Sequence, residues 1–166
     1  VRLRLATEAD LPAIVAIYNS TVPSRLVTAD TEPVTVESRL DWYRAHAPAT
    51  RPVWVAEDPA DGSVCAWVSL SSFYGRPAYA ATVEVSLYVA GSHRRRGIGR
   101  HLLGQVIERA PGLAVETLLG YIFGHNEPSL RLFAAFGFER WAHLPRIAKL
   151  DGIERDVVIV GRRVAP

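Results

Sequence analysis

Seven consecutive residues, Arg94-Arg95-Arg96-Gly97-Ile98-Gly99-Arg100, set four guanidinium groups beside two glycines. The residues before them, Val83 to Val89, alternate as a strand does, and those after, from Ile98, carry helical spacing. A strand leading through a glycine turn into a helix presents backbone N–H groups and the positive end of the helix dipole to an anion. Glycine lets the backbone approach the ligand, and arginine adds charge-assisted hydrogen bonds to phosphate oxygens. A dinucleotide-binding turn does not fit, because its third glycine falls on Leu102, and no Gly-Lys-Ser/Thr follows to make a Walker loop. Taken alone the turn also reads as a solvated basic loop. Glu84 places a carboxylate inside the preceding strand, as a general base or as a surface-facing or ion-paired strand residue.

A second constellation follows about thirty residues on. Asn126-x-x-Ser129-Leu130-x-Leu132-Phe133-x-x-x-Gly137-Phe138 begins with a capping residue, continues as a short amphipathic helix and stops at a glycine. Around these two motifs the spacing predicts the other elements. Arg2 to Ala6 is a strand; Thr7 caps a helix with apolar stripe Leu11, Ile14, Val15, Ile17 and Tyr18; Asn19 to Pro33 is a loop with a short helical turn. Thr35 caps a second helix through Ala45. Val53 to Glu57 and Val64 to Ser72 pair as a hairpin, Phe73 to Ala81 is a loop, and Thr82 to Val89 is a longer strand. A helix over Ile98 to Ala110, a strand over Leu118 to Ile122, the Asn126 helix and closing strands over Arg140 to Leu150 and Arg155 to Val164 complete an α+β layer fold around a mixed sheet.

Composition narrows the function. A length of 166 residues is expected to form one domain, residues 1–166. A net charge of +2, without interleaved aromatics around the arginines, argues against nucleic acid. One cysteine, Cys65, excludes an intrachain disulfide framework and reads as a buried small hydrophobe. His46, His93, His101 and His143 lack metal-ligand spacing, so no metal is expected, and His125 reads as structural or solvent-facing. Trp42, Trp54, Trp67 and Trp141 fall in apolar patterns and are expected in the core or an interface. No stretch approaches the ~20 apolar residues of a membrane span, so no membrane partner and a cytoplasmic location are the expectation.

The paired motifs resemble those of the GNAT superfamily of N-acetyltransferases, in order and separation. The segments Arg2 to Tyr18, Thr31-Glu32-Pro33, Trp42, Trp67 to Ser71 and Arg76 to Glu84 are similar to its phosphinothricin and methionine sulfoximine acetyltransferase branch. The resemblance implies the GNAT fold, a mixed, mostly antiparallel central sheet flanked by helices with acetyl-CoA bound at splayed central strands. It also implies a homodimer that moves acetyl from acetyl-CoA to the α-amino group of a small amino acid or its toxic analogue. Carried over, Arg94, Arg95, Arg96, Gly97, Ile98, Gly99 and Arg100 hold the CoA pyrophosphate. Leu87 and Val89 offer backbone groups to pantetheine and the acetyl carbonyl, and Asn126 and Ser129 contact the far arm of CoA.

An amine attacks a thioester only when neutral, which makes a base useful; Glu84 matches the branch's base position. The Val89 amide is the candidate oxyanion donor. Arg76 is the candidate for the substrate carboxylate, or else a solvated loop arginine, and Tyr79 and Thr82 are further substrate-contact candidates. Two positions depart from the branch. Phe133 stands where members carry a Tyr or His able to protonate the departing thiolate, and Ala29 stands where an aromatic walls the amino-acid pocket. Rival readings are a peptide or protein amine as acceptor, favoured by an open acidic groove, and a non-catalytic acyl-CoA sensor, favoured by Phe133.

Overall fold

A computed structural model describes residues 1–164. Seven strands form one sheet in the order β1-β2-β3-β4-β5-β7-β6. In chain order these are β1 (Arg2–Leu5), α1 (Leu11–Thr21), α2 (Val36–Arg44), β2 (Val53–Glu57), β3 (Val64–Ser72), β4 (Thr82–Val89), α3 (Ile98–Arg109), β5 (Thr117–Phe123), α4 (Glu127–Ala135), β6 (Glu139–Leu150) and β7 (Ile153–Arg163). Every neighbouring pair is antiparallel except β4 with β5. The mixed, mostly antiparallel sheet and the strand–helix order are those expected from the sequence.

The boundaries differ where polar residues continue a helix. α1 runs on to Thr21, because Ser20 and Thr21 turn their hydroxyls back onto the carbonyls of Ile17 (2.6 Å) and Tyr18 (2.7 Å) instead of competing for the backbone. A single 3₁₀ turn, Val22–Ser24, follows. β7 begins at Ile153, two residues earlier than its apolar pattern, because it closes a tight hairpin with β6 through Leu150↔Ile153. Trp141, expected in the core or an interface, is not in the core. It is 46% exposed, its ring lying over Gly161 of β7, where any Cβ would collide with it.

Alternation sorts the sheet's side chains onto two faces. Val68, Leu70, Val83, Val85, Leu118 and Ile122 pack against α3 and α4 through Leu103, Val106, Leu130 and Phe133. On the other face Val53, Val55 and Trp67 pack against Ile14 and Ile17 of α1, with Tyr18, Trp42 and Tyr88 closing the cluster. Arg4 ties three elements together, bonding Asp10 at the start of α1 (2.7 Å) and Glu57 of β2 (2.6 Å). That guanidinium, with the Thr7 amide, holds the Asp10 carboxyl below its ordinary range.

One tight contact positions the centre of the sheet. A Cβ added at Gly120 of β5 would lie 2.9 Å from Phe133 Cε1 and 3.1 Å from Val160 Cγ2, both buried. Gly120→Ala is expected to cost about 1–3 kcal/mol through overpacking, read as a lower urea midpoint at unchanged m-value.

Candidate active site

The parallel pairing of β4 with β5 covers only Thr82↔Thr117, Val83↔Leu118 and Glu84↔Leu119. Beyond Glu84 the strands part, although β4 continues to Val89 against β3 and β5 continues to Phe123 against β7. The direction of the freed backbone follows from the β3 ladder. Ala90 N–H donates to Cys65 O (2.8 Å) and Phe73 N–H to Thr82 O (3.3 Å), so even-numbered residues of β4 bond toward β3. Along an antiparallel pair the intervening residues face the other way. The N–H and C=O groups of Val85, Leu87 and Val89 therefore face the gap. Leu87 and Val89 were singled out in the sequence for their backbone groups.

The gap is a cavity of about 100 Å³ bordered by Glu84, Leu87, Tyr121, Asn126, Ser129 and Phe133. Asn126 is buried and caps α4, its side-chain oxygen accepting from Ser129 N–H at 3.3 Å. Phe133 is 6% exposed and meets Phe138 edge to face, with centroids 4.8 Å apart. It forms an apolar wall of the gap.

β4 ends in the arginine–glycine turn. Arg95 and Gly97 both take positive φ (62° and 76°), and Gly97 caps α3. This winding leaves donors outward: among the described residues no acceptor takes the N–H of any residue from Arg95 to Arg100. The first helical bond is from His101 N–H to Gly97 O, 3.0 Å. Arg94, Arg95, Arg96 and Arg100 are exposed, and no atom lies within 4 Å of a Cβ built at Gly97. Gly99 instead lets α3 close onto the gap wall, its built Cβ 3.6 Å from Leu132 and 3.7 Å from Leu87. His93 anchors the turn, bonding Asp58 at 2.7 Å. The arrangement can hold a polyanion at the mouth of the gap.

A larger cavity, about 280 Å³, lies on the opposite face under the segment joining α1 to α2. Val27, Thr28, Ala29, Phe123, Leu144 and Ile147 line it. Ala29 is thus a wall residue. Four residues border both cavities: Val27, Glu84, Tyr88 and Tyr121. Glu84 is half-buried, and among the described residues its carboxylate has no hydrogen bond or ion pair. Burial alone pushes its carboxyl above the ordinary value. Tyr88 stacks on Trp67 (4.6 Å) and near Tyr18 (5.2 Å); burial and then the charge of Glu84 raise Tyr121.

The structure brings Glu84, Leu87, Val89, Asn126, Ser129 and the turn around one gap. It does not bring Arg76, Tyr79 or Thr82 into either cavity that Glu84 borders. Arg76 caps the exposed turn Pro77–Tyr79, Tyr79 packs with Phe73 and Tyr74 at the surface, and Thr82 begins β4. Tyr88 and Tyr121 were missed by sequence reasoning. The signal for Tyr88 was present, since it shares the parity of Glu84 on one strand. That of Tyr121 required knowing that β5 lies beside β4. Among the described residues no cluster could hold a metal ion, and no helix is long and apolar enough to cross a membrane.

Comparison with known proteins is consistent with this geometry. The model of the acetyltransferase (GNAT) family matches residues 14–138. The Bacillus subtilis protein named "Putative phosphinothricin acetyltransferase YwnH" is 51% identical over 163 residues, covering 98% of this chain and 99% of that one. An L-methionine sulfoximine/L-methionine sulfone acetyltransferase of Pseudomonas paraeruginosa is 32% identical over 99% of this chain and 95% of its own. The crystal structure of a phosphinothricin acetyltransferase from Sinorhizobium meliloti in complex with AcCoA superposes with a TM-score of 0.92. It is 28% identical, with 99% of this chain and 88% of that chain covered.

Because the Glu84 carboxyl is raised by folding, the native state binds more protons than the unfolded chain between the two pKa values. Glu84 therefore lowers stability as pH rises through that window. Glu84→Gln is expected to be the more stable protein at neutral pH, the difference vanishing below the ordinary carboxylate pKa. Urea denaturation across pH measures this.

Proposed function

The chain belongs to the acetyltransferase (GNAT) family, and on that footing we propose that it transfers acetyl from acetyl-CoA to the α-amino group of a small amino acid or toxic analogue of the phosphinothricin, methionine sulfoximine or methionine sulfone type. The observation that carries the reading is the position of Glu84. An unpaired, half-buried carboxylate stands where the gap between the strands meets the apolar cavity on the other face. Donor and acceptor can approach that point from opposite sides of the sheet.

The residues present suit acetyl-CoA. The outward N–H groups of Arg95 to Arg100 and the exposed arginines suit its pyrophosphate, and the gap-facing backbone of Leu87 and Val89 suits an amide-rich pantetheine arm. Asn126 and Ser129 border the same gap. The named activities of the relatives support an amino-acid acceptor, and the lining of the acceptor cavity, apolar but for Glu84, Thr28 and two tyrosines, favours a small molecule over a basic peptide. The exposed Phe73–Tyr74–Tyr79 cluster beside Arg76 supports a homodimer in which a second copy covers this loop; since Arg76 lies outside both cavities of its own copy, it would reach an acceptor's α-carboxylate only across that interface.

The chemistry then follows from the residues. Glu84 takes the proton of the attacking amine, directly or through a water, and its raised pKa brings its basicity closer to neutrality. The Val89 amide donates to the oxygen on which negative charge develops. Phe133 has no proton for the departing sulfur, whereas Tyr121 sets a phenol beside Glu84. Proton balance closes within this pair: the amine's proton goes to Glu84, that of Tyr121 to sulfur, and Glu84 restores Tyr121.

Two substitutions separate base from cradle in a thiol-release assay. Glu84→Gln is expected to lower kcat by about 10²–10⁴-fold with little change in KM for acetyl-CoA, and to abolish the acid-side limb of the pH–rate profile. Arg96→Ala is expected to raise that KM several-fold at near-constant kcat. Full activity of the Glu84 variant would remove the base assignment, and unchanged saturation of the Arg96 variant would remove the phosphate cradle.

A further inference from the structure

β6 and β7 pair regularly toward both ends of their hairpin but not beside the acceptor cavity. Leu144 pairs with Val157 and Ala148 with Arg155, so Pro145, Arg146 and Ile147 all stand opposite the single residue Asp156. A regular antiparallel ladder leaves one residue there, so β6 carries a bulge of two extra residues. The sequence favours a break at this point, because Pro145 has no N–H to give to the ladder. Leu144 and Ile147 of the bulged stretch, and Val157 facing it, line the cavity that Glu84 borders.

Specific bonds hold this bulge. Arg146 takes a positive φ of 53°, a conformation that crowds a Cβ. Asp156 fixes it there: one carboxylate oxygen accepts the Arg146 N–H (2.8 Å) and the other accepts from His143 Nε2 (2.8 Å). Those two bonds, the Arg146 amide foremost, keep the Asp156 carboxyl below its ordinary range. The main chain of Asp156 is tied down as well, its carbonyl accepting Gly124 N–H at the end of β5 (2.9 Å). At the tip of the hairpin Arg25 bonds both oxygens of Asp151 (2.9 and 3.3 Å). This joins the hairpin to the α1–α2 segment, whose Val27 and Ala29 line the same cavity.

Ile147 is 61% exposed, yet the bulge presents it at the wall of a largely apolar cavity. Bulges beside active sites re-aim single side chains, and an exposed isoleucine there gains by being covered with an apolar stem. Resting on the acceptor reading above, we propose that Ile147 is a specificity-determining residue of the acceptor cavity and that Asp156 is the positioning residue that holds it there. Strand order sets the class of acceptor. β6 lies three strands from β4 in the sheet, so the backbones of Ile147 and Glu84 are separated by roughly 14 Å at ~4.8 Å per strand. With its amine at Glu84, an acceptor whose side chain ends at Cβ leaves Ile147 uncovered. The enzyme therefore selects amino acids with an unbranched apolar stem of several atoms.

Thiol release at saturating acetyl-CoA tests this, with methionine sulfone and phosphinothricin as long acceptors and alanine as a short one. The native enzyme is expected to have a higher kcat/KM for at least one long acceptor than for alanine. Ile147→Ala is expected to lower the value for that long acceptor about 10-fold, the effect of a lost apolar contact in a pocket. Alanine and the KM for acetyl-CoA are expected to stay unchanged. Asp156→Ala is expected to show the same pattern, and Asp156→Asn, whose side-chain oxygen still accepts the Arg146 amide, to recover most of the loss. Because Asp156 acts through Ile147, the double variant Ile147→Ala/Asp156→Ala is expected to lose no more than the larger single loss. Equal use of long and short acceptors by the native enzyme, an equal loss for both in Ile147→Ala, or additive losses in the double variant overturns the proposal while leaving the transferase reading intact. Absence of thiol release with every acceptor overturns that reading and the proposal together.

Discussion

The constraint on which the rest of the structure depends is the parting of β4 and β5 after Glu84↔Leu119. Two strands at the centre of a seven-stranded sheet stop bonding to each other while each stays bonded on its outer side. Backbone donors and acceptors then face a cavity, an arrangement that is costly unless they find partners. The neighbouring features serve this opening. Gly120 lets Phe133 press against β5 from below, Gly99 lets α3 close onto Leu87, and Asn126 caps α4 at the far rim. Because β4 runs past the fork, it delivers the chain into the arginine–glycine turn at the mouth of the same gap.

The two faces of the sheet divide the work. Apolar burial against α3 and α4 makes one face a core, and the gap opens within it. On the other face the packing is interrupted by Glu84, Tyr88 and Tyr121 on their respective strands, leaving the larger cavity beneath the α1–α2 segment. Charge follows the same division. Asp10 and Asp151 are ion-paired with Arg4 and Arg25, and Asp58 is hydrogen-bonded to His93. Among the described residues Glu84 lacks such a partner. Leaving Glu84 without a partner keeps a half-buried carboxylate basic, at a cost to stability that a paired carboxylate would not carry.

Local chemistry made much of this legible in the sequence. Period-two runs identified β2, β3 and β4, and Asn126 was recognisable as a cap because a short side-chain oxygen satisfies the first free amides of a helix. Arg94 to Arg100 read as an anion turn for an equally local reason, since glycine conformations and outward amides belong to the turn itself. Two readings stopped short for different reasons, one non-local and one local. Trp141 fitted either the core or an interface, because hydrophobicity does not reveal which side of an edge strand remains uncovered. The last turn of α1 was hidden because hydroxyl-to-carbonyl bonds of Ser20 and Thr21 are invisible to a periodicity argument.

By itself the sequence determined the elements, the anion turn and the presence of a carboxylate in the strand before it, all properties of residues within a few positions of one another. Only the tertiary structure decided that β4 and β5 part just beyond that carboxylate, that Tyr121 stands beside it, and that Arg76 lies outside both cavities. Those relations join strands separated by tens of residues. They depend on strand order, register and the absence of a partner, and none of these is encoded in the spacing of neighbouring residues.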